Sequence, residues 1–136
     1  MTEKVFPADK NNLDDVLDFV STEMEKADCS MKKIMQITVV MEEMFVNVAD
    51  YAYPDEPGQV KISIEFDSGK TKMKIRMADH GIPFNPLDRK DPDITLSAEE
   101  RQIGGLGIYM MKKTMDEVYY VYENGENILT MTKYIG

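Results

Sequence analysis

Glu43 and Asn47 are two polar residues one helical turn apart, and their side chains could together bind a cation and accept a proton. Residues four apart on a helix stand on one face, so a carboxylate and a neutral carboxamide would be neighbours. An amide oxygen can bind a hard cation such as Mg²⁺, which takes most of its other ligands from water and phosphates. A carboxylate beside it can accept a proton from an attacking hydroxyl. Taken alone, such a pair is more often a solvated helix face.

A glycine-rich string, Gly104-Gly105-Leu106-Gly107, opens a helix that is predicted to extend to about Met115. Glycines at a helix start expose backbone N–H groups to a phosphate, and the helix dipole favours the negative charge. Such a site suits a chain with a formal net charge of −9, which has no basic footprint for nucleic acid. Taken alone, a flexible hinge before the helix explains the string equally well.

The string Asp79-His80-Gly81 lies where a predicted strand ends. An Asp at the edge of a pocket can accept a hydrogen bond from an exocyclic amine, which adenine carries at a position where guanine has a carbonyl. Gly81 would allow the backbone to approach a ring closely. Taken alone, Asp-x-Gly is more often a turn. His80, the only histidine, is expected to be an exposed loop residue and neither a catalyst nor a ligand.

Apolar periodicity predicts the helices that position these residues. One helix runs from Met31 to about Tyr51, with Ser30 as its N-cap. An earlier helix is capped by Asn11 or Asn12 and extends to about Ala27. The predicted apolar stripe of the long helix consists of Ile34, Met35, Thr38, Met41, Phe45, Val48 and Ala49.

Alternation of apolar and polar residues predicts the strands. They are a short strand at Val5-Phe6, a hairpin of Val60–Phe66 with Met73–Met77, and a final hairpin of Val118–Tyr122 with Ile128–Ile135. Between Asp79 and about Gln102 regular patterns are lost, and such a long stretch inside a compact domain is usually functional.

This order predicts a single domain over residues 1–136, folded as a two-layer α/β (α+β) sandwich. Three helices cover one face of a mixed, mostly antiparallel sheet. No apolar run is long enough to span a bilayer, and no secretory signal is expected. Cys29 is the only cysteine, which excludes an internal disulfide and fits a reducing cytosol.

Three strings in this order resemble the GHKL ATPase superfamily, which includes gyrase and the histidine kinases. They are Glu43-Met44-Phe45-Val46-Asn47 followed by Ala52-Tyr53, Asp79-His80-Gly81-Ile82-Pro83-Phe84, and Gly104-Gly105-Leu106-Gly107-Ile108 through Met115-Asp116-Glu117-Val118. More narrowly, the chain is similar to the small bacterial anti-sigma factor serine/threonine kinases, from about Asn11 to Tyr134. Tyr51 replaces a common His and Asn85 a common Asp, which leaves the subfamily open.

The resemblance implies roles for residues of an ATP site. Asn47 would hold Mg²⁺ against the ATP phosphates, and Glu43 would be the general base toward a serine or threonine hydroxyl. Asp79 would read the adenine amine, with Gly81 beside the base. The phosphate contacts would come from Gly104, Gly105, Leu106 and Gly107. The loop from about Phe84 to Ile103 would be an ATP lid, in which Arg101 could touch the terminal phosphate.

The resemblance also implies a function. The chain would be a cytoplasmic anti-sigma regulatory factor and ATP-dependent serine/threonine protein kinase that phosphorylates an anti-anti-sigma antagonist. A sigma factor would be its other partner, and homodimerisation is implied by the likeness alone. Two alternatives stay open, namely a non-catalytic ATP-binding module that sequesters a partner and the catalytic half of a sensor histidine kinase. The absence of phosphoacceptor helices and the short length disfavour the second.

Overall fold

The computed structural model describes residues 1–88 and 105–135 of the chain. Its elements are β1 (Thr2–Pro7), α1 (Leu13–Lys26), α2 (Met31–Tyr51), β2 (Gln59–Phe66), β3 (Lys72–Asp79), α3 (Gly105–Thr114), β4 (Glu117–Glu123) and β5 (Glu126–Tyr134), with short 3-10 turns at Lys10–Asn12 and Pro86–Asp88. Within the part that is described, no helix is both long and apolar enough to cross a membrane.

The five strands form one sheet in the order β1-β2-β3-β5-β4, and every neighbouring pair is antiparallel. Buried residues of all three helices join one apolar cluster with the inward residues of the sheet. Two packed layers around one core result. The predicted two-layer α+β fold with three helices on one face is therefore confirmed, and the described strands are antiparallel throughout.

The long helix α2 begins where the sequence predicts. The Ser30 hydroxyl accepts a hydrogen bond of 3.2 Å from the backbone N–H of Lys33, which satisfies one free donor of the first turn. The predicted apolar stripe is partly wrong, because Met35 is 61% exposed. Ile34, Met41 and Phe45 are buried as predicted, and the helix also buries Ile37, Val40 and Met44, which the predicted stripe lacks. Met35 lies about 200° around the helix from Ile37, on the side away from the core.

The start of α1 differs from the prediction. Asn12 occupies the N-cap position, but its side chain makes no capping hydrogen bond to the helix. Asp9 caps the short turn before α1, since its Oδ1 accepts a hydrogen bond of 2.8 Å from the backbone N–H of Asn11. A 3-10 turn therefore precedes the helix, and the chain enters α1 through it.

The last hairpin determines which residues of β5 reach the end of β3. Asn124 and Gly125 have φ angles of 53° and 77°, so both lie in the left-handed region, as expected for an Asn-Gly turn between twisted strands. With this turn, Asn127 pairs directly with Asp79 across β5 and β3. The turn therefore brings two residues 48 positions apart together where the inner strands β3 and β5 meet end to start.

Candidate functional site

A cleft with about 520 Å³ of empty space, part of it open to solvent, lies between the C-terminal half of α2, the ends of β3 and β5, and the loop after β3. Asn47 and Asp79 both line it. Its other lining residues are Met44, Val48, Tyr51, Ala52, Met77, Ile82, Phe84, Pro86, Tyr120, Asn127 and Leu129. A mostly apolar cleft with a few polar groups is suited to a planar ring that bears polar substituents.

Asp79 ends β3 and is only 6% exposed. Its Oδ1 accepts two hydrogen bonds, one of 2.9 Å from the backbone N–H of Gly81 and one of 3.0 Å from Nδ2 of Asn127. Burial raises the pKa of the Asp79 carboxyl, and the hydrogen bonds from Asn127 and Gly81 act in the opposite direction. Oδ2 takes no hydrogen bond from residues 1–88 or 105–135, so one carboxylate oxygen is left for a ligand.

Gly81 is required by close packing against the end of α2. A Cβ at Gly81 would lie 2.4 Å from the carbonyl oxygen of Ala52 and 2.5 Å from its Cβ. The next residue, Ile82, donates its N–H to the same carbonyl oxygen at 2.9 Å. The near neighbour of Gly81 is thus protein backbone, and its predicted contact with a bound base stays a prediction.

Gly81→Ala should therefore lower the free energy of unfolding by about 1–3 kcal/mol, because the added methyl group must displace backbone. Chemical denaturation measures this change. Gly69→Ala is the matched control, since a Cβ at Gly69 meets only Thr71 Cγ2 at 3.6 Å, an ordinary contact. Equal stabilities of the two variants would contradict the packing role of Gly81.

Tyr53 holds the start of the loop that follows Asp79. Its hydroxyl donates to the carbonyl oxygen of Gln59 at 2.6 Å and accepts from the backbone N–H of His80 at 2.7 Å. Its ring occupies the space beside Gly58, where a Cβ would lie 2.3 Å from ring atoms. Burial raises the pKa of the Tyr53 hydroxyl, which stays a donor at neutral pH. The side chain of His80 is exposed, as expected, with Nε2 3.7 Å from Glu126 Oε2.

Asn47 has an unused polar atom in the cleft. Its Nδ2 is buried and has no hydrogen-bond partner among residues 1–88 and 105–135. A buried donor without a partner costs of the order of 1–3 kcal/mol, so a ligand that accepts from it would recover that cost. An amide nitrogen and oxygen at this position fit a ligand that combines phosphate oxygens with a hard cation.

Glu43, one turn before Asn47, packs against the first turn of α3. A Cβ at Gly107 would lie 2.4 Å from Glu43 Oε2 and 3.1 Å from its Cβ. A carboxylate beside a helix N-terminus is favoured by the helix dipole. Gly107 therefore permits the close approach of α2 and α3, a role that sequence reasoning missed, and its phosphate contact stays a prediction.

The described residues include only part of the predicted phosphate loop and lid. Gly105 begins α3, and Leu106 is 39% exposed on its surface. Gly104 and Arg101 lie outside the described residues, as does most of the predicted lid from about Phe84 to Ile103, namely residues 89–103. The phosphate-binding roles of these residues stay predictions.

Sequence reasoning also missed Asn127 and Tyr120. Asn127 is buried, and its Oδ1 accepts hydrogen bonds from the Tyr120 hydroxyl and from the backbone N–H of Phe84. The signal available in the sequence was a polar residue two positions after the turn glycine, in phase with Leu129 and Met131, the inward-facing apolar residues of β5. The register with β3 is needed to recognise its partner.

Comparison with known families matches residues 6–133 to the histidine kinase-like ATPase domain. The serine-protein kinase RsbW of Listeria monocytogenes serovar 1/2a is 30% identical over 115 residues, which cover 81% of this chain and 71% of that protein. RsbW of Bacillus thuringiensis strain Al Hakam is 32% identical over 106 residues, which cover 75% of this chain and 64% of that protein.

Solved structures share the fold. The RsbU and RsbW domains of Rv1364c from Mycobacterium tuberculosis align with a TM-score of 0.64 at 13% identity, over 99% of this chain and 33% of that one. The histidine kinase AdeS of Acinetobacter baumannii aligns with a TM-score of 0.56 at 16% identity, over 100% of this chain and 68% of that one. The likeness thus extends over the full length of this chain.

Proposed function

The chain belongs to the histidine kinase-like ATPase domain family, and we propose on that basis that it is an anti-sigma regulatory factor and an ATP-dependent serine/threonine protein kinase. Its relatives in Listeria and Bacillus are named serine-protein kinases. ATP is the nucleotide that this family membership implies.

The observation that supports the proposal best is the shared cleft of Asn47 and Asp79. In this arrangement the adenine ring lies between the apolar walls, and its exocyclic amine donates to the free Oδ2 of Asp79. The triphosphate extends past Asn47 toward the first turn of α3, whose N–H groups favour negative charge. An acidic protein can bind ATP in this way without lysines.

Magnesium fits the same residues. Asn47 lines the cleft, and its Nδ2 has no partner in the described part of the chain. Its oxygen is a suitable ligand for a hard cation that takes its other ligands from phosphates and water. Magnesium bound at this position would neutralise phosphate charge, which is the main requirement of phosphoryl transfer.

Glu43 performs the proton transfer in this proposal. Its carboxylate takes the proton of a serine or threonine hydroxyl on the partner as that oxygen bonds to the γ-phosphorus. The bond from the γ-phosphorus to the bridging oxygen breaks, and ADP leaves with that oxygen. Gly107 keeps Glu43 close to the start of α3, where the terminal phosphate would lie.

The partner assignment follows the same likeness. The phosphorylated protein is a small anti-anti-sigma antagonist, and a sigma factor is the protein sequestered when the antagonist is modified. We place this activity in the cytoplasm, where both partners act, and the homodimer implied by the resemblance belongs to the same proposal.

The test is phosphate transfer from γ-labelled ATP, with magnesium, to anti-anti-sigma proteins of the same organism. Acid-stable label on serine or threonine is the expected result. Acid-labile label on histidine would favour a histidine kinase instead. A melting temperature raised by ATP but not GTP, without transfer to any antagonist, would favour the non-catalytic module. No response to ATP in either assay would overturn the proposal.

A further inference from the structure

The carboxamide of Asn127 is the centre of a buried hydrogen-bond network at the cleft. The residue is 7% exposed. Its Nδ2 lies 3.0 Å from Asp79 Oδ1, 2.9 Å from the carbonyl oxygen of Ile82 and 3.4 Å from that of Gly81. Its Oδ1 accepts from the N–H of Phe84 at 3.0 Å and from the Tyr120 hydroxyl.

This network uses the full hydrogen-bonding capacity of the Asn127 side chain. An amide nitrogen carries two hydrogens and an amide oxygen has two lone pairs. The two hydrogens serve Asp79 and Ile82, and the two lone pairs accept from Phe84 and Tyr120. Asn127 lines the cleft but has no group left for a ligand. Any effect on a ligand must therefore pass through its partners.

The partner that can reach a ligand is Asp79. Two N–H donors occupy its Oδ1, and they orient the carboxylate so that Oδ2 is the oxygen left for the cleft. We propose that Asn127 is a positioning residue that keeps Oδ2 of Asp79 available as a hydrogen-bond acceptor, and so determines the preference for a purine such as adenine, whose exocyclic amine stands where guanine has a carbonyl. This inference rests on the proposed function, because it requires a nucleotide in this cleft.

This role requires an amide side chain. An acid of the same shape keeps the accepting oxygen of the amide and removes its donating nitrogen. Asp at position 127 keeps an oxygen that accepts from Phe84 and Tyr120 but loses both hydrogens that Nδ2 donates, one to Asp79 and one to the carbonyl oxygen of Ile82. Two carboxyl groups about 3 Å apart share one proton, and the pair loses that proton only at a raised pH. While the proton is shared, it replaces the amide hydrogen that Asp79 accepts, which is the one that positions the Asp79 carboxylate.

Other titratable groups face the same pair. Charge on His80 lowers the pKa of Asp79, and the Glu126 carboxylate raises it. The Tyr53 and Tyr120 hydroxyls face it from the segment after α2 and from β4, and Asp88 acts on Tyr120. All of these groups are present in both proteins, so they largely cancel when a variant is compared with the wild type at one pH.

The experiment is calorimetric titration of ATP with magnesium into wild type and N127D between about pH 5.5 and 8.5. The expected ratio of the two affinities is close to one at the acid end, and N127D should bind at least about tenfold more weakly at the alkaline end. Purine riboside triphosphate, which lacks the amine, should bind the wild type more weakly than ATP does. N127D should lose this preference as the pH rises.

Circular dichroism at each pH shows whether N127D stays folded. N127S removes the amide without adding charge, so it should weaken ATP binding at least about tenfold at every pH. If N127D unfolds, the ATP affinity of N127S tests the positioning role of Asn127. A wild type that does not bind ATP would overturn the proposed function. Two results would overturn this inference alone, provided that the wild type prefers ATP. One is a ratio of wild-type to N127D affinity for ATP that does not change with pH. The other is N127S binding ATP as tightly as the wild type does.

Discussion

Asp79→Asn should bind ATP about 100-fold more weakly than the wild type while keeping its fold. The variant retains an oxygen that can accept from Gly81 N and Asn127 Nδ2, so the internal hydrogen bonds survive. Its new NH₂ group replaces Oδ2 and faces the adenine amine. Both groups are hydrogen-bond donors, so the hydrogen bond to adenine is lost. A hydrogen bond to a charged group is worth about 1.5–3 kcal/mol, which corresponds to roughly 10- to 150-fold in affinity. Calorimetry with ATP and magnesium measures the loss.

The same variant should alter the pH dependence of stability in a defined direction. Burial raises the pKa of Asp79 in the folded state, so the folded chain holds this proton more tightly than the unfolded chain. The free energy of unfolding then falls as the pH rises from the ordinary value of 3.8 through the folded pKa. Asp79→Asn lacks this loss, and at about pH 7 it should be at least as stable as the wild type.

Asp67→Asn is the matched control, since Asp67 lies at the opposite end of the β2–β3 hairpin. Its carboxylate accepts hydrogen bonds from the Thr71 hydroxyl and from the backbone N–H groups of Thr71 and Lys72. These bonds lower its pKa, so the ionised form stabilises the fold above the ordinary pKa. This variant should lose some stability at neutral pH and bind ATP normally. If Asp79→Asn binds ATP as tightly as the wild type does, the proposed hydrogen bond between Asp79 and the adenine amine is wrong.

Glu43→Gln should abolish phosphate transfer while ATP binding persists. The amide keeps the shape of the side chain that packs against Gly107, so α2 and α3 should stay in contact. It cannot accept the hydroxyl proton of the partner protein, and a general base typically contributes 10²–10⁴-fold to a rate. The transfer rate to the antagonist should therefore drop by about that factor, measured under single-turnover conditions with saturating ATP. Glu43→Ala should give the same loss of transfer.

Glu42→Gln controls for the charge change, because Glu42 is exposed on the same turn of α2. It should transfer phosphate at the wild-type rate. If Glu43→Gln also transfers at that rate, another group accepts the proton, and the base assignment is wrong. If Glu43→Gln loses ATP binding as well as transfer, the residue contributes to nucleotide binding and not to proton transfer alone.

Local patterns were sufficient to predict the elements and the places of Glu43, Asn47 and Asp79 on them. The Ser30 cap, the period of the apolar residues in α2 and the alternation in the two hairpins each depend on neighbours within a few positions. The placement of Asp79 at a strand end and the one-turn spacing of Glu43 and Asn47 are local in the same sense. Those features follow from the backbone periodicity of helix and strand, which the sequence expresses directly.

Tertiary structure decided the roles that depend on distant partners. Asn127 meets Asp79 only because the Asn124-Gly125 turn and the β3–β5 register align them. The glycines were predicted to approach a ligand, whereas the neighbours that restrict them are Ala52 for Gly81 and the Glu43 side chain for Gly107. Which face of α2 is buried depends on where the sheet and the other two helices lie. Such contacts join residues far apart in the chain, and a local pattern contains no information about which of them will meet.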